Sequence, residues 1–222
     1  MQRAMYPSPY MRITQGYDEG THLESFAIDD AGSDSGIDYL VAPFDCVVKK
    51  IYTNDANEVW FESASPVEYA DGTVDYMTVM MAHCNDVSFL SVGQIIKQGD
   101  RCYYEGTKGY ATGNHAHIEC GKGKFTGTGW HKLTTGFYGI NNGKKPEECF
   151  YIDDSIKVLD DYGYHFKKVP TVIPETPPSK ETGKEQEEST SANAKLVFTC
   201  SKEDYYYIKL YDGDKLYLES SH

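Results

Sequence analysis

The chain contains no run of 18 apolar residues, and no basic start followed by an apolar stretch and a small-residue cleavage site. It therefore offers neither a membrane helix nor a recognisable secretory signal, and the expectation is folding in a cytoplasm without membrane insertion. None of the six cysteines (46, 84, 102, 120, 149, 200) forms a C-x-x-C pair, which argues against a structural zinc knuckle. Without export they are expected to stay reduced and to pack as small core residues. Apolar residues at helical spacing are scarce, so little helix is expected. Basic charge is also short, with 21 Lys and Arg against 34 Asp and Glu and a net charge of −13. That sets nucleic acid aside as a partner, because phosphate binding needs a basic face that displaces counterions. One region runs the other way: Gly121 to Pro146 carries Lys122, Lys124, Lys132, Lys144 and Lys145 with no carboxylate, and reads as a solvated basic loop.

What is present favours β structure. An apolar content of 40% with 14% aromatics, in 222 residues, suits one good-sized core plus an appendage. Twenty glycines and nineteen tyrosines accompany Val, Ile and Thr runs broken by turn residues. Strands are expected at Tyr39–Val41, Cys46–Thr53, Glu58–Ser63 and Tyr76–His83 as an antiparallel meander, with a short strand over Arg101–Gly106 and a further one over His115–Cys120. Residues 1–168 form the expected main domain. From 169 to 195, four prolines precede a Lys/Glu/Ser/Thr tract too polar to offset its ordering entropy, which reads as a flexible linker. Residues 196–222 read as a small β segment with Asp212-Gly213 at a hairpin turn. It is small for an independent core, so it is expected to self-associate or to be part of a longer module.

Chemistry concentrates in a few positions. Gly113-Asn114-His115-Ala116-His117-Ile118-Glu119 places two imidazoles two apart in strand-like sequence, hence on one face. His83 ends the apolar run from Met77, and His22 precedes Asp29. Taken singly, each has a bland account: a turn residue, a turn cap, a core histidine. Together they supply a zinc-type set, because catalytic zinc takes three protein ligands and keeps one place for water. His22, Asp29 and His117 make an N2O donor set, leaving His83 and His115 to move protons near pH 7.

In this order and rough spacing the chain resembles the M23 family of zinc endopeptidases, the lysostaphin-like enzymes, from about Gly16 to Gly121. It departs from them at two points: six residues separate His22 from Asp29, a longer interval than is usual there, and Cys84 follows His83 where leucine is usual. The resemblance implies a mainly β fold in which an antiparallel sheet forms a groove with a metal at its floor. It implies Zn2+ on His22, Asp29 and His117, a catalytic pair in His83 and His115, and hydrolysis of peptide bonds in bacterial peptidoglycan. Tyr103, Tyr104, Tyr110, Trp130 and His131 are candidate groove walls, and Tyr17 a candidate oxyanion donor. The missing export signal turns the reading toward a phage endolysin, made in the host cytoplasm and acting at the wall after release. Its alternatives are a tail-associated wall hydrolase and a non-catalytic scaffold that binds the wall or activates another hydrolase.

Overall fold

Side chains alternate between the two faces of a strand, and here that period separates a deep core from a chemically active surface. The computed structural model describes residues 1–169 and, beyond them, the strands Ala194–Cys200, Tyr206–Asp212 and Lys215–Ser221. The chain divides into two units, Met1–Ile173 and Pro174–His222. The linker expected over 169–195 falls outside the described residues, apart from Val169 and the start of the Ala194–Cys200 strand.

The first unit is built on a nine-stranded sheet. Its order runs Lys157–Asp160, Tyr10–Gln15, Ile28–Asp30, Ala116–Lys122, Met77–Ala82, Glu58–Ser63, Cys46–Tyr52 and Ile95–Ile96, with Gly143–Lys144 also pairing the Ala116–Lys122 strand. The pairings are antiparallel except that Lys157–Asp160 lies parallel to Tyr10–Gln15. Three expected strands, Cys46–Tyr52, Glu58–Ser63 and Met77–Ala82, are neighbours as a meander requires. Tyr39–Val41 leaves the meander and pairs instead with Arg101–Tyr104 in a two-stranded ribbon. The expected strand ends at His83 and His115 are also trimmed: both histidines stand just outside the strands that carry their neighbours. Helix is confined, among the described residues, to Pro146–Cys149 and a 3-10 turn at Gly20–His22. No helix of the described residues is long and apolar enough to cross a membrane.

One face of the sheet carries Val59, Phe61, Val79, Met81 and Ile118, all fully buried in the main core. Burial of such side chains stabilises by about 1.5–3 kcal/mol each. The other face carries Trp60, Met80 and Ala82, which Ile140 joins in a second, smaller cluster. Ile140 belongs to a ribbon of Trp130–Lys132 paired with Tyr138–Ile140. The approach is close at Gly129, where a Cβ would stand 2.6 Å from the Trp60 ring and φ is +87°, so only glycine suits the turn. The five cysteines of the first unit, 46, 84, 102, 120 and 149, are buried and form no disulfide.

The second unit shows three antiparallel strands, with Tyr206–Asp212 in the middle and paired on both sides. In register, Phe198 is the Cα partner of Ile208, and Ile208 that of Ser220. Gly213, expected at a hairpin turn, lies outside the described residues.

Candidate metal centre and its cleft

Register brings the first two site residues together. Asp29 and His117 are Cα partners in the antiparallel pairing of their strands, although 88 positions separate them. His117 Nδ1 lies 3.1 Å from Asp29 Oδ1. Alternation then puts Glu119 on the same face, and its Oε1 lies 3.3 Å from His117 Nε2. The other Glu119 oxygen accepts the backbone N–H of Ile140 at 2.8 Å. One ring is thereby held from both ends, by Asp29 and by a carboxylate anchored to the covering ribbon.

His22 arrives from the 3-10 turn and is buried. Its Nδ1 lies 3.0 Å from the Gly16 carbonyl; because a carbonyl only accepts, Nδ1 carries the proton and the Nε2 lone pair is left for the centre. That Nε2 lies 3.3 Å from Asp29 Oδ1. The long interval between His22 and Asp29 is taken up by a turn in which Glu24 has φ +69°. The Ser25 backbone N–H and hydroxyl both donate to the His22 carbonyl, at 3.0 Å each.

His83 and His115 flank these three. Their ring centroids are 4.7 Å apart, and that of His83 is 5.9 Å from that of His117. His83 adopts φ +85° just after its strand ends, a region that costs a β-carbon residue about 1–3 kcal/mol. It is held there at both ends of its backbone: its N–H donates to the Ala56 carbonyl (2.7 Å), and its carbonyl accepts from Lys108 (2.9 Å). Gly106 packs beneath, where a Cβ would come within 2.3 Å of the His83 oxygen. His83 Nδ1 donates to the Lys108 carbonyl at 2.7 Å, leaving Nε2 as the basic atom. His115 Nδ1 is engaged in the same way by the Gly113 carbonyl at 2.9 Å, and its Nε2 stands 3.6 Å from Asp29 Oδ1.

The donor set fits zinc. The ligand atoms of His22, Asp29 and His117 all lie within 4.8 Å of one another. Ligands about 2.0–2.1 Å from a tetrahedral zinc stand about 3.3 Å apart, close to the 3.3 Å and 3.1 Å that separate Asp29 Oδ1 from the two imidazole nitrogens. Burial alone would raise the Asp29 pKa, but the hydrogen bond from His117 and the adjoining His22 imidazole outweigh it and hold the carboxyl well below its usual range. Burial draws the His117 pKa down, yet Asp29 and Glu119 more than compensate and push it up to about 10. A metal ion entering the site would displace that proton. His83 goes the other way, to about 4: burial dominates, and the neighbouring His117 and His115 add to it against the pull of the Lys108 hydrogen bond. It is a neutral base at pH 7.

A cleft of about 200 Å³ opens over this centre, with His22, His83 and His117 in its lining. Of the expected wall residues, Tyr110 and Trp130 line it, joined by Tyr138. Tyr103 does not: it is fully buried, its hydroxyl donating to the Asn57 carbonyl (2.6 Å) and accepting from the Cys84 N–H (3.0 Å). It fixes the turn around His83 from inside the core. Tyr104 packs against Phe89, and His131 projects into solvent on its strand; neither belongs to the lining of the cleft. Tyr17 is committed elsewhere, stacked on Tyr164 and donating its hydroxyl to Glu147 at 2.8 Å. Among the cleft residues that escaped sequence reasoning, Glu119 and Glu58 contrast. Glu119 was open to discovery, since it continues the His115/His117 alternation; Glu58 had no local signal beyond its place in a strand.

No family model matches the chain. Among curated proteins it is similar to Morphogenesis protein 1 of Bacillus phage B103, 33% identical over 119 residues, or 53% of this chain and 32% of that protein. The chain thus spans about a third of the length of that relative. Among solved structures it is similar to a zinc containing peptidase from Vibrio cholerae, at 21% identity and a TM-score of 0.41 over 54% of this chain and 37% of that one. It is also similar to the catalytic domain of the prophage-encoded M23 protein EnpA from Enterococcus faecalis, at 20% identity and a TM-score of 0.40 over 54% and 86%. A chain of the SpoIIQ–SpoIIIAH pore forming complex matches at 17% identity and a TM-score of 0.36 over 55% and 85%.

Proposed function

We propose that the chain is a zinc-dependent endopeptidase that hydrolyses peptide bonds of bacterial peptidoglycan. The observation that carries this reading is the convergence of His22, Asp29 and His117, with donor atoms spaced for a small dication, beside two further imidazoles at one cleft. Bound there, zinc would supply Lewis acidity toward a scissile carbonyl and a water acidified to near neutrality. The protein's own residues do the rest. Gly16 and Glu119 orient the two ligand rings, and such outer partners fix ligand tautomer and basicity. His83, neutral and with Nε2 free, takes the proton of the attacking water. His83 then passes that proton to the leaving amine, while His115, taking a proton from solvent, donates to the oxygen that becomes anionic.

The choice of peptidoglycan rests on the motif resemblance to lysostaphin-like enzymes, and the phage setting on the relative from Bacillus phage B103. That relative's name, a morphogenesis protein, favours a tail-associated wall hydrolase as a second reading beside the endolysin. Metal analysis of the purified chain, paired with release of new amino termini from purified cell walls, tests the proposal. About one zinc per chain is expected, with both metal and released termini lost in His117→Ala. Wall hydrolysis that survives His117→Ala removes the proposal, and bound metal without new termini moves the reading to a non-catalytic scaffold.

A further inference from the structure

The Nδ1 proton of His22 is held by one backbone oxygen, that of Gly16, at 3.0 Å. A trans peptide is planar, with its C=O and N–H pointing opposite ways. The plane that carries the Gly16 carbonyl also carries the Tyr17 N–H, and that N–H donates to the Tyr164 hydroxyl oxygen at 3.0 Å. One rigid plane therefore runs from Tyr164 to the His22 ring. The peptide before it is held as well: the Gly16 N–H donates to Glu19 Oε1 at 2.9 Å, and the same oxygen accepts the Tyr162 hydroxyl. Without these anchors a glycine lets its peptide planes turn freely. A reversed Gly16–Tyr17 plane would present an N–H to His22 Nδ1, which would then have to accept, and the ring proton would move to Nε2, the atom that faces Asp29.

Register explains how Tyr164 reaches a peptide 147 positions away. The strand Lys157–Asp160 runs parallel to Tyr10–Gln15, with Arg12 opposite Asp160, so the chain beyond Asp160 passes beside the residues that follow Gln15. All four residues of that strand are exposed; what it delivers is the turn rather than core. Asp160 Oδ1 accepts the Tyr162 N–H at 2.9 Å, and the Asp161 carbonyl accepts the Tyr164 N–H at 3.0 Å. Tyr162 adopts φ +57° there, a region that bulky residues rarely enter. The Tyr164 ring lies stacked on that of Tyr17, with centroids 4.5 Å apart and planes at 9°. A Cβ on Gly16 would stand 2.0 Å from the Tyr164 hydroxyl oxygen and 2.8 Å from the Tyr162 ring, so it is glycine that lets both tyrosines close on this peptide. The turn lies beyond Gly121, outside the stretch that resembles the lysostaphin-like enzymes.

We infer that Tyr164 is a positioning residue for the metal centre: by anchoring the Gly16–Tyr17 peptide plane it aims the Gly16 carbonyl at His22 and keeps the Nε2 lone pair of that ring free for a metal. The effect on zinc rests on the metal-centre reading above; the effect on the His22 ring does not. The test uses the full chain with Tyr164→Phe, which keeps the stacked ring and deletes the acceptor. Its control is Tyr151→Phe, which loses a hydroxyl that donates to Glu68 at 2.8 Å. Two quantities are measured: the zinc Kd, by competition with a chromophoric chelator, and the nitrogen NMR shifts of the His22 ring in the metal-free chain, which report where its proton sits. Tyr164→Phe should bind zinc about tenfold more weakly, at the low end of the range for partners that orient a ligand, and its His22 Nδ1 signal should move toward the unprotonated position. Tyr151→Phe should change neither. Unchanged values in Tyr164→Phe overturn the inference, as does a weaker Kd with Nδ1 unmoved or an equal loss in the control, since either assigns the tyrosine to general stability. The unaltered chain decides even if Tyr164→Phe fails to fold, because a His22 ring with Nδ1 bare overturns the inference directly. Absence of zinc binding by the unaltered chain defeats the endopeptidase reading and leaves the ring signals to judge this one, whereas zinc binding indifferent to Tyr164→Phe does the reverse.

Discussion

Asp29 and Asp30 are neighbours on one three-residue strand and meet opposite fates. Asp29 faces three imidazoles, and the two nearer ones, those of His117 and His22, keep it ionised. Asp30 turns to the other face, pairs with Ala116, and is wholly buried. There it accepts from the Tyr6 hydroxyl (3.1 Å) and the backbone N–H groups of Arg12 (2.8 Å) and Gly32 (3.3 Å). Burial outweighs these hydrogen bonds and pushes its pKa up to about 7. Glu105 stands in the same acidic corner and is pushed to about 8 by burial, with the charges of Asp30, Asp38 and Asp34 adding to it against the Asp38 N–H. The same carboxyl chemistry thus stands in a zinc-type donor set on one face and as a structural acceptor on the other, and the partners across the sheet make the difference.

Breaking the first half of the comparison should have the largest effect. Asp29→Ala removes the oxygen that joins both imidazoles, so metal content and wall hydrolysis should fall to background, measured by metal analysis and by released amino termini; a variant that keeps both would show that the carboxylate is not part of the centre. His115→Ala leaves the three donors intact. It is expected to keep its metal while hydrolysis drops about 10²-fold or more, the range of a lost proton-transfer group, and a drop without retained metal would place His115 among the ligands.

The second half should break stability instead. Asp30→Ala strands buried donors and should cost about 1–3 kcal/mol, read as a lower urea midpoint, with metal still bound. Loss of metal with unchanged stability would reverse the assignment of the two aspartates. The smallest effect sharpens the contrast through pH. The folded-state pKa of Glu105, about 8, lies above the unfolded value of about 4.3. Its contribution is therefore complete below about pH 4 and is lost as pH rises through about 8. Glu105→Gln should flatten the decline of the urea midpoint between pH 5 and pH 8.5. An unchanged slope would mean that the corner does not hold a neutral carboxyl.

How much of this was legible beforehand depends on how local each feature is. His115 and His117 share a face because they flank Ala116 on or beside one strand, and Glu119 obeys the same rule and could have been read with them. The apolar run Met77–Ala82 announced a strand, and all six of its residues are buried. Tyr103 looked like a groove wall because an aromatic beside a turn has no sequence mark of which way it faces; its hydroxyl proves to brace the His83 turn from within. The parallel Lys157–Asp160 strand was invisible for a similar reason. All four of its residues are exposed, so no apolar period betrays it.

The sequence by itself determined which side chains alternate, where turns interrupt them, and that nitrogen and carboxylate donors of the zinc type were available, because those properties follow from the sterics of a few consecutive residues. Tertiary structure alone decided that Asp29 faces His117, which nitrogen of each ring points to the centre, and that Asp30 and Glu105 hold their protons near neutral pH. Those outcomes depend on the register of strands distant in the chain and on how deeply packing removes each group from water, quantities that no local run of residues contains.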